Sequence, residues 1–260
     1  MGVKLKEYFG IELARLLADR IATVHAGFAS RSFIDEVATG VPSLELKARV
    51  ALISSALRRH LPAGYTEALS VLLDILGPEN PREEGMFTEG YWLMPVAHFV
   101  EAFGLDHPHL SLDALYEITK RHTGEYALRP YVQRYGALTY AYLERWSTDP
   151  NPHVRRLVSE GIRPRLPWAK RLQIDDPAPV LSLLQRLRDD RSAYVRKSVA
   201  NNLHDLVHDH RELVLGTLEV WGGVEAPKER LWVIRHALRN LIKEGDPRAI
   251  EIACPNGRRP

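Results

Sequence analysis

Cysteine is almost missing from this chain of 260 residues. Cys254 is the only one, which excludes an internal disulfide and a multi-cysteine zinc site and agrees with a reducing compartment. Long apolar runs are missing as well. No stretch reaches the roughly 18 apolar residues of a membrane helix, and the start MGVKLKEYFGIELARLLADRIA carries too many charges for a secretory leader. A cytoplasmic location without membrane attachment is therefore expected. Lys6 occupies the place where an N-myristoylation pattern wants Ser or Thr. Neither a P-loop nor a GxGxxG sequence occurs, so nucleotide and dinucleotide binding have no support. Alternating, strand-like patterns are also hard to find.

Apolar residues at helical spacing fill the chain instead, as in Leu13, Leu16, Leu17, Ile21 and again in Leu69, Leu72, Leu73, Leu76. Hydrophobic residues make up 45% and charged residues 26%, the composition of a folding globular chain. Breakers at Gly40-Val41-Pro42, Leu61-Pro62, Gly77-Pro78, His107-Pro108, Asp149-Pro150-Asn151-Pro152, Asp175-Asp176-Pro177, Gly222-Gly223 and Gly245-Asp246-Pro247 cut the pattern into helices of roughly 10 to 20 residues. The polar connection at 77–92 reads as a surface loop more readily than as a lid.

The segment DPNPHVRRLVSEGIRPRL aligns with DRSAYVRKSVANNLHDLV at an offset of 41, pairing Asp149 with Asp190, Val154 with Val195, Arg155 with Arg196 and Glu160 with Asn201. A third copy puts Ile234-Arg235 39 residues after Val195-Arg196, and LKARVALISSALRRHLP from Leu46 is a more worn one. Two helices per unit of about 40 residues, with an Asp in the turn and a following Val-Arg, is the pattern of HEAT-like repeats. The expected fold is all-α, an α-solenoid of HEAT-like helical repeats with a concave basic face, over a single domain 1–250 and a tail 251–260. Arg155, Arg196 and Arg235 read as structural partners of the turn aspartates.

Charge is unevenly spread. Residues 1–148 hold 15 Lys and Arg against 18 Asp and Glu, and residues 149–260 hold 20 against 15. Between 151 and 173 six cations surround one anion, Glu160, so a polyanion is the natural partner for that stretch. Arg156, Lys197, Arg163, Arg165, Lys170 and Arg171 have no evident duty in the repeat. Glu160 lies off the apolar stripe of Val154, Leu157 and Val158, at the unfavourable end of a helix dipole that neighbouring cations compensate. A plain salt bridge to Arg163 three residues on is the alternative to a functional role. Trp168 is either a core residue or a ring placed to pack on a sugar or base. His204 and His208 in HDLVH lack the glutamate and third ligand of a zinc protease, so no metal is expected.

The stretches HVRRLVSEGIRPRLPWA, GEYALRPYV from Gly124, GYWLMPVAHFVE from Gly90 and VRKSVANNLHDL from Val195 resemble the AlkC branch of the HEAT-like alkylpurine DNA glycosylases, over most of residues 1–250. The resemblance implies base-excision repair of cationic alkylated bases such as 3-methyladenine in double-stranded DNA, with no cofactor and without requiring a pocket for a flipped base; a curved solenoid that cradles duplex DNA can work as a monomer. It places the family's acidic residues on Glu125, Glu160 and Asp205 and its tryptophan on Trp168. DNA contacts then fall to Arg129, Arg156, Arg163, Arg165, Lys170, Arg171 and Lys197. The chain ends before the immunoglobulin-like domain that many AlkC proteins carry, which matches the shorter form. The competing reading is a noncatalytic HEAT-like scaffold that binds nucleic acid or an acidic protein.

Overall fold

The computed structural model describes residues 4–84, 90–223 and 225–254. Part of the 77–92 loop and most of the 251–260 tail lie outside them. Among the described residues the regular structure is helical, and no strand is present. The chain divides into two compact units, Met1–Tyr135 and Gly136–Pro260.

The first unit holds α1 (Ile11–Val24), α2 (Ser30–Gly40), α3 (Leu46–His60), α4 (Tyr65–Asp74), α5 (Met94–Phe103), α6 (Pro108–Thr119) and α7 (Glu125–Arg134). Leu13, Leu17 and Ile21 recur every four residues and are buried, as are Leu69 and Leu72 of α4, so the stripe that defines each helix is also its packing face. Each such side chain contributes roughly 1.5–3 kcal/mol on burial. Polar order inside this core depends on Gly104. A Cβ there would stand 2.3 Å from the Tyr65 hydroxyl, 2.4 Å from the Ser111 hydroxyl and 2.6 Å from the Tyr131 hydroxyl. Only a glycine lets Tyr65 and Ser111 meet at 2.8 Å while Tyr131 donates to the Val100 carbonyl at 2.7 Å. The described start of the 77–92 loop is tied down: Arg121 donates to the Gly77 carbonyl and Asn80 N–H to the Lys120 carbonyl.

The second unit holds α8 (Gly136–Trp146), α9 (Pro152–Glu160), α10 (Ala178–Leu187), α11 (Ala193–Trp221), α12 (Lys228–Ala237), α13 (Arg239–Lys243) and α14 (Pro247–Ala253). Here the repeat is physical. Asn151 caps α9 by accepting from His153 N–H, and Ser192 caps α11 by accepting from Val195 N–H, each worth about 1 kcal/mol. Asp149 and Asp190 accept from Asn151 N–H and Ser192 N–H, both at 2.8 Å. Arg155 donates to the carbonyls of Asp149 and Pro150, and Arg196 donates to those of Asp190 and Arg191. Equivalent positions therefore do equivalent work. Arg155 also grips Asp190 of the next repeat through Nε and Nη2 at 2.6 and 2.9 Å, with both side chains buried. Arg235 departs from this pattern and donates to Leu231 O one turn back.

Helix α9 stops at Glu160, and the chain then runs without helix to 177, where Pro164 and Pro167 deny the backbone donors a helix needs. The segment is nonetheless anchored. Ile162, Leu166 and Leu172 are buried, and Leu172 N–H closes onto the Pro164 carbonyl at 3.0 Å. Helix α11 bends at His210, whose backbone is non-helical and whose ring holds Ile174 O at 2.8 Å.

Candidate active site

Glu160 is the last residue of α9 and is only 6% exposed. Three side chains converge on its carboxylate. Arg163 donates to Oε1 at 2.8 Å, Arg156 stands 3.5 Å from the same oxygen, and the Ser198 hydroxyl of α11 donates to Oε2 at 2.6 Å. Arg163 is buried too, and its other edge binds Asp205 of α11 through Nε at 2.9 Å and Nη2 at 3.3 Å. Asp205 Oδ2 also accepts from the Arg165 backbone N–H at 3.3 Å. One face of α11 thus supplies Ser198 and Asp205, and the helix-breaking turn at Gly161 swings Arg163 between the two carboxylates.

Burial by itself would push the Glu160 carboxyl up, but Arg156 and Arg163, together with the Ser198 and Arg163 hydrogen bonds, hold it below the usual carboxylate range. Burial likewise opposes the charge on Arg163, and Glu160 and Asp205 outweigh it and raise its pKa. The cluster brings together two carboxylates and two guanidiniums. Because Asp205 takes a share of the Arg163 charge, the Glu160 charge is less fully cancelled than its own contacts suggest. Arg156 is steadied on its far side by the Tyr194 ring, 4.9 Å away.

These contacts correct the reading of the extra cations as free of internal duties. Arg163 and Arg156 are tied to the carboxylates. Arg165 and Arg171 share Asp209 at 3.5 and 2.5 Å, with their side chains still 39% and 57% exposed. Lys170 and Lys197 are exposed. The histidines of HDLVH are engaged locally: His204 donates from Nδ1 to the Ala237 carbonyl at 2.9 Å and meets the His208 ring edge-on.

Trp168 sits in the irregular segment, 55% exposed, with φ of +64°. It is the one non-glycine with positive φ among the described residues. For a bulky side chain that conformation is strained, and such strain persists where the surroundings enforce it. In the other unit, Glu125 opens α7 and is 2% exposed, at the helix end whose dipole favours an anion. Arg129 follows one turn later and is 6% exposed.

Ser198 escaped the sequence reading, although a signal was present. At the offset of 41 it faces Leu157, so a hydroxyl replaces an apolar residue on the buried stripe of the repeat. A polar group at such a position needs a partner, and Glu160 is that partner.

Paired helices with a repeating Asp turn, and a buried carboxylate–guanidinium cluster where one repeat breaks, define a HEAT-like helical-repeat protein. The family model of DNA alkylation repair enzymes matches residues 122–241, a span that contains Glu125, Glu160, Trp168 and Asp205. The chain is 38% identical over 251 residues to the uncharacterized protein YhaZ of Bacillus subtilis (strain 168), covering 95% of this chain and 67% of that protein. It superposes with a TM-score of 0.87 and 36% identity on the alkylpurine DNA glycosylase AlkC of Pseudomonas fluorescens bound to DNA containing an abasic site analogue, covering 98% of this chain and 68% of that one. The chain belongs to the DNA alkylation repair enzyme family, as a DNA glycosylase of the AlkC type. No helix among the described residues is long and apolar enough to cross a membrane.

Proposed function

We propose that this protein, acting in the cytoplasm, hydrolyses the N-glycosidic bond of cationic alkylated bases of the 3-methyladenine type in duplex DNA. A ring-alkylated base is already positive, so it leaves as a neutral molecule once it takes the electrons of the C1′–N bond. The barrier lies in the sugar, which becomes an oxocarbenium-like cation. The observation that carries the reading is Glu160, a buried carboxylate held ionised by Arg156, Arg163 and Ser198. A fixed anion of this kind stabilises positive charge as it develops at C1′, and it needs no reorganisation to do so.

The same contacts make Glu160 a poor base, because two guanidiniums and a hydroxyl already draw on its lone pairs. Glu125, the acidic residue of the other matching motif, is the second carboxylate of this reading. Water adds to C1′ as the C1′–N bond breaks, and its proton passes to a carboxylate and then to solvent, as carboxylates serve in glycoside hydrolysis. Asp205 acts through Arg163 and is a positioning residue. Trp168, exposed and held in a left-handed conformation, packs against the sugar or base at the lesion. Arg156, Arg165, Lys170, Arg171 and Lys197 make up the cationic surroundings in which the DNA backbone is held, Arg129 is a DNA contact of the first unit, and Arg163 serves the carboxylates.

The test is Glu160→Gln, which keeps the shape and removes the charge. Binding to an alkylated duplex should persist, while single-turnover release of 3-methyladenine slows by about 150-fold if the carboxylate supplies about 3 kcal/mol. Release at the wild-type rate would remove Glu160 from the mechanism.

A further inference from the structure

The position of Glu160 recurs along the repeats. At offsets of 41 and then 39 residues it is taken by Asn201 and Asn240, and the position of Arg156 is taken by Lys197 and His236. The carboxylate is kept in one repeat and replaced by an amide in the next two, while the basic position stays basic. The structure shows these later positions in contact. His236 Nε2 lies 3.2 Å from Asn201 Oδ1, and Asn240 Nδ2 lies 3.3 Å from His204 Nε2. Arg239 donates from Nη1 to the His236 carbonyl at 2.5 Å. The exposed Trp232 ring stacks on His236, 4.8 Å between centroids and 8° between planes, which fixes the imidazole in place.

The electrostatics of this patch are one-sided. Among the described residues no ion pair engages Lys197, His204, His236 or Arg239. The carboxylate near Arg239 is Asp205, which Arg163 already grips. Burial lowers the pKa of Arg239, and there the attraction of Asp205 exceeds the repulsion of Arg163. His236 is lowered by burial and then by Arg239, Lys197 and His204, and His204 by burial and then by Arg239 and His208 against the Ala237 carbonyl and Asp205. Lys197 and Arg239 thus have no ion-pair partner of their own among the described residues, and a ligand with negative charge supplies one.

We propose that Lys197, Arg239, His236 and the amides of Asn201 and Asn240 form a phosphodiester subsite one repeat beyond Glu160, which holds the DNA backbone beside the lesion. The proposal rests on the reading of the chain as a DNA glycosylase and names the part of the DNA this patch takes. Arg239 and Lys197 supply the charge. His236 commits Asn201 Oδ1 and leaves Nδ2 as the donor. Amides replace the carboxylate here for a physical reason: a second or third anion in the series would repel the phosphates, whereas at the lesion one anion faces a sugar cation.

The experiment uses the full chain with Arg239→Gln and Lys197→Gln, each alone. Binding to a duplex oligonucleotide carrying a stable abasic-site analogue, and to its undamaged counterpart, is followed by fluorescence anisotropy from about 50 to 200 mM salt. Each variant should flatten the log–log salt dependence by about one unit on both duplexes, since a phosphate contact is blind to the lesion. Thermal unfolding of Arg239→Gln should stay near that of the wild type, because Arg239 makes no ion pair among the described residues. Unchanged slopes overturn the proposal. So does weaker binding with an unchanged slope and a lower unfolding temperature, the mark of a structural role. An active Glu160→Gln with flattened slopes in these variants would sink the glycosylase mechanism and leave the subsite standing. An inactive Glu160→Gln with unchanged slopes would do the reverse.

Discussion

Asp205→Asn tests the idea that Asp205 protects the charge of Glu160. The substitution keeps the volume and one carbonyl acceptor for Arg163, but it removes the anion from a buried, two-point contact at 2.9 and 3.3 Å whose partners are 10% and 7% exposed. Breaking a buried pair from one side costs about 3–5 kcal/mol because the surviving charge stays desolvated. Arg163 has Glu160 at 2.8 Å to fall back on, so about 3 kcal/mol is the appropriate end of that range. At roughly 2–4 °C per kcal/mol for a chain of this size, the unfolding temperature should fall by about 6–12 °C. Below the transition the catalytic effect is separate: the whole Arg163 charge now falls on Glu160, and the anion presented to the sugar weakens. If a quarter to a half of an interaction of about 4 kcal/mol at an effective dielectric of 20 is redirected, excision slows by about 5- to 30-fold. The assay is single-turnover excision well below the transition, alongside calorimetry. In the Glu160→Gln background, Asp205→Asn should cost almost nothing further in rate, since the charge it protects has gone. A lower unfolding temperature with wild-type excision would refute the reasoning and leave Asp205 a structural residue. Additive rate losses in the double variant would refute it equally.

Ser198→Ala removes the donor on Glu160 Oε2. That hydrogen bond favours the charged form, so its loss raises the Glu160 pKa and should move the acid limb of the pH–excision profile to higher pH, with Ser198→Thr restoring it. An unmoved limb would show that the hydroxyl serves packing alone. In the wild type the Glu160 pKa is depressed on folding, so its contribution to stability is complete above the unfolded carboxylate pKa and is lost as pH falls through the lower folded value. Denaturation midpoints in an acid series should therefore drop over that interval, and Glu160→Gln should flatten the drop. Trp168→Gly relieves a positive φ, a strain of up to about 1 kcal/mol, and should raise or preserve the unfolding temperature. The same change should reduce excision, and a variant that is both destabilised and fully active would contradict the strained, functional role given to this ring.

Much of the second unit was readable from residue order alone. The turn aspartates and the buried Val154, Leu157 and Val158 follow from local rules, and Asp149 and Val154 recur as Asp190 and Val195 where the 41-residue offset puts them. Glu160 stood out for the same kind of reason, as one anion among six cations at a helix end. What those cations do was not readable in this way. Arg163 reaches Asp205 across 42 residues and Ser198 reaches Glu160 across 38, through a proline-broken turn with no period to extrapolate. Spacing suggested the Arg163–Glu160 pair but gave no sign that Asp205 shares that arginine. Periodicity reports which face of a helix is buried, because burial recurs with the helical turn. The ownership of a charge depends on where a non-repeating backbone points the side chain and on what it excludes from water, and only the tertiary structure decides that.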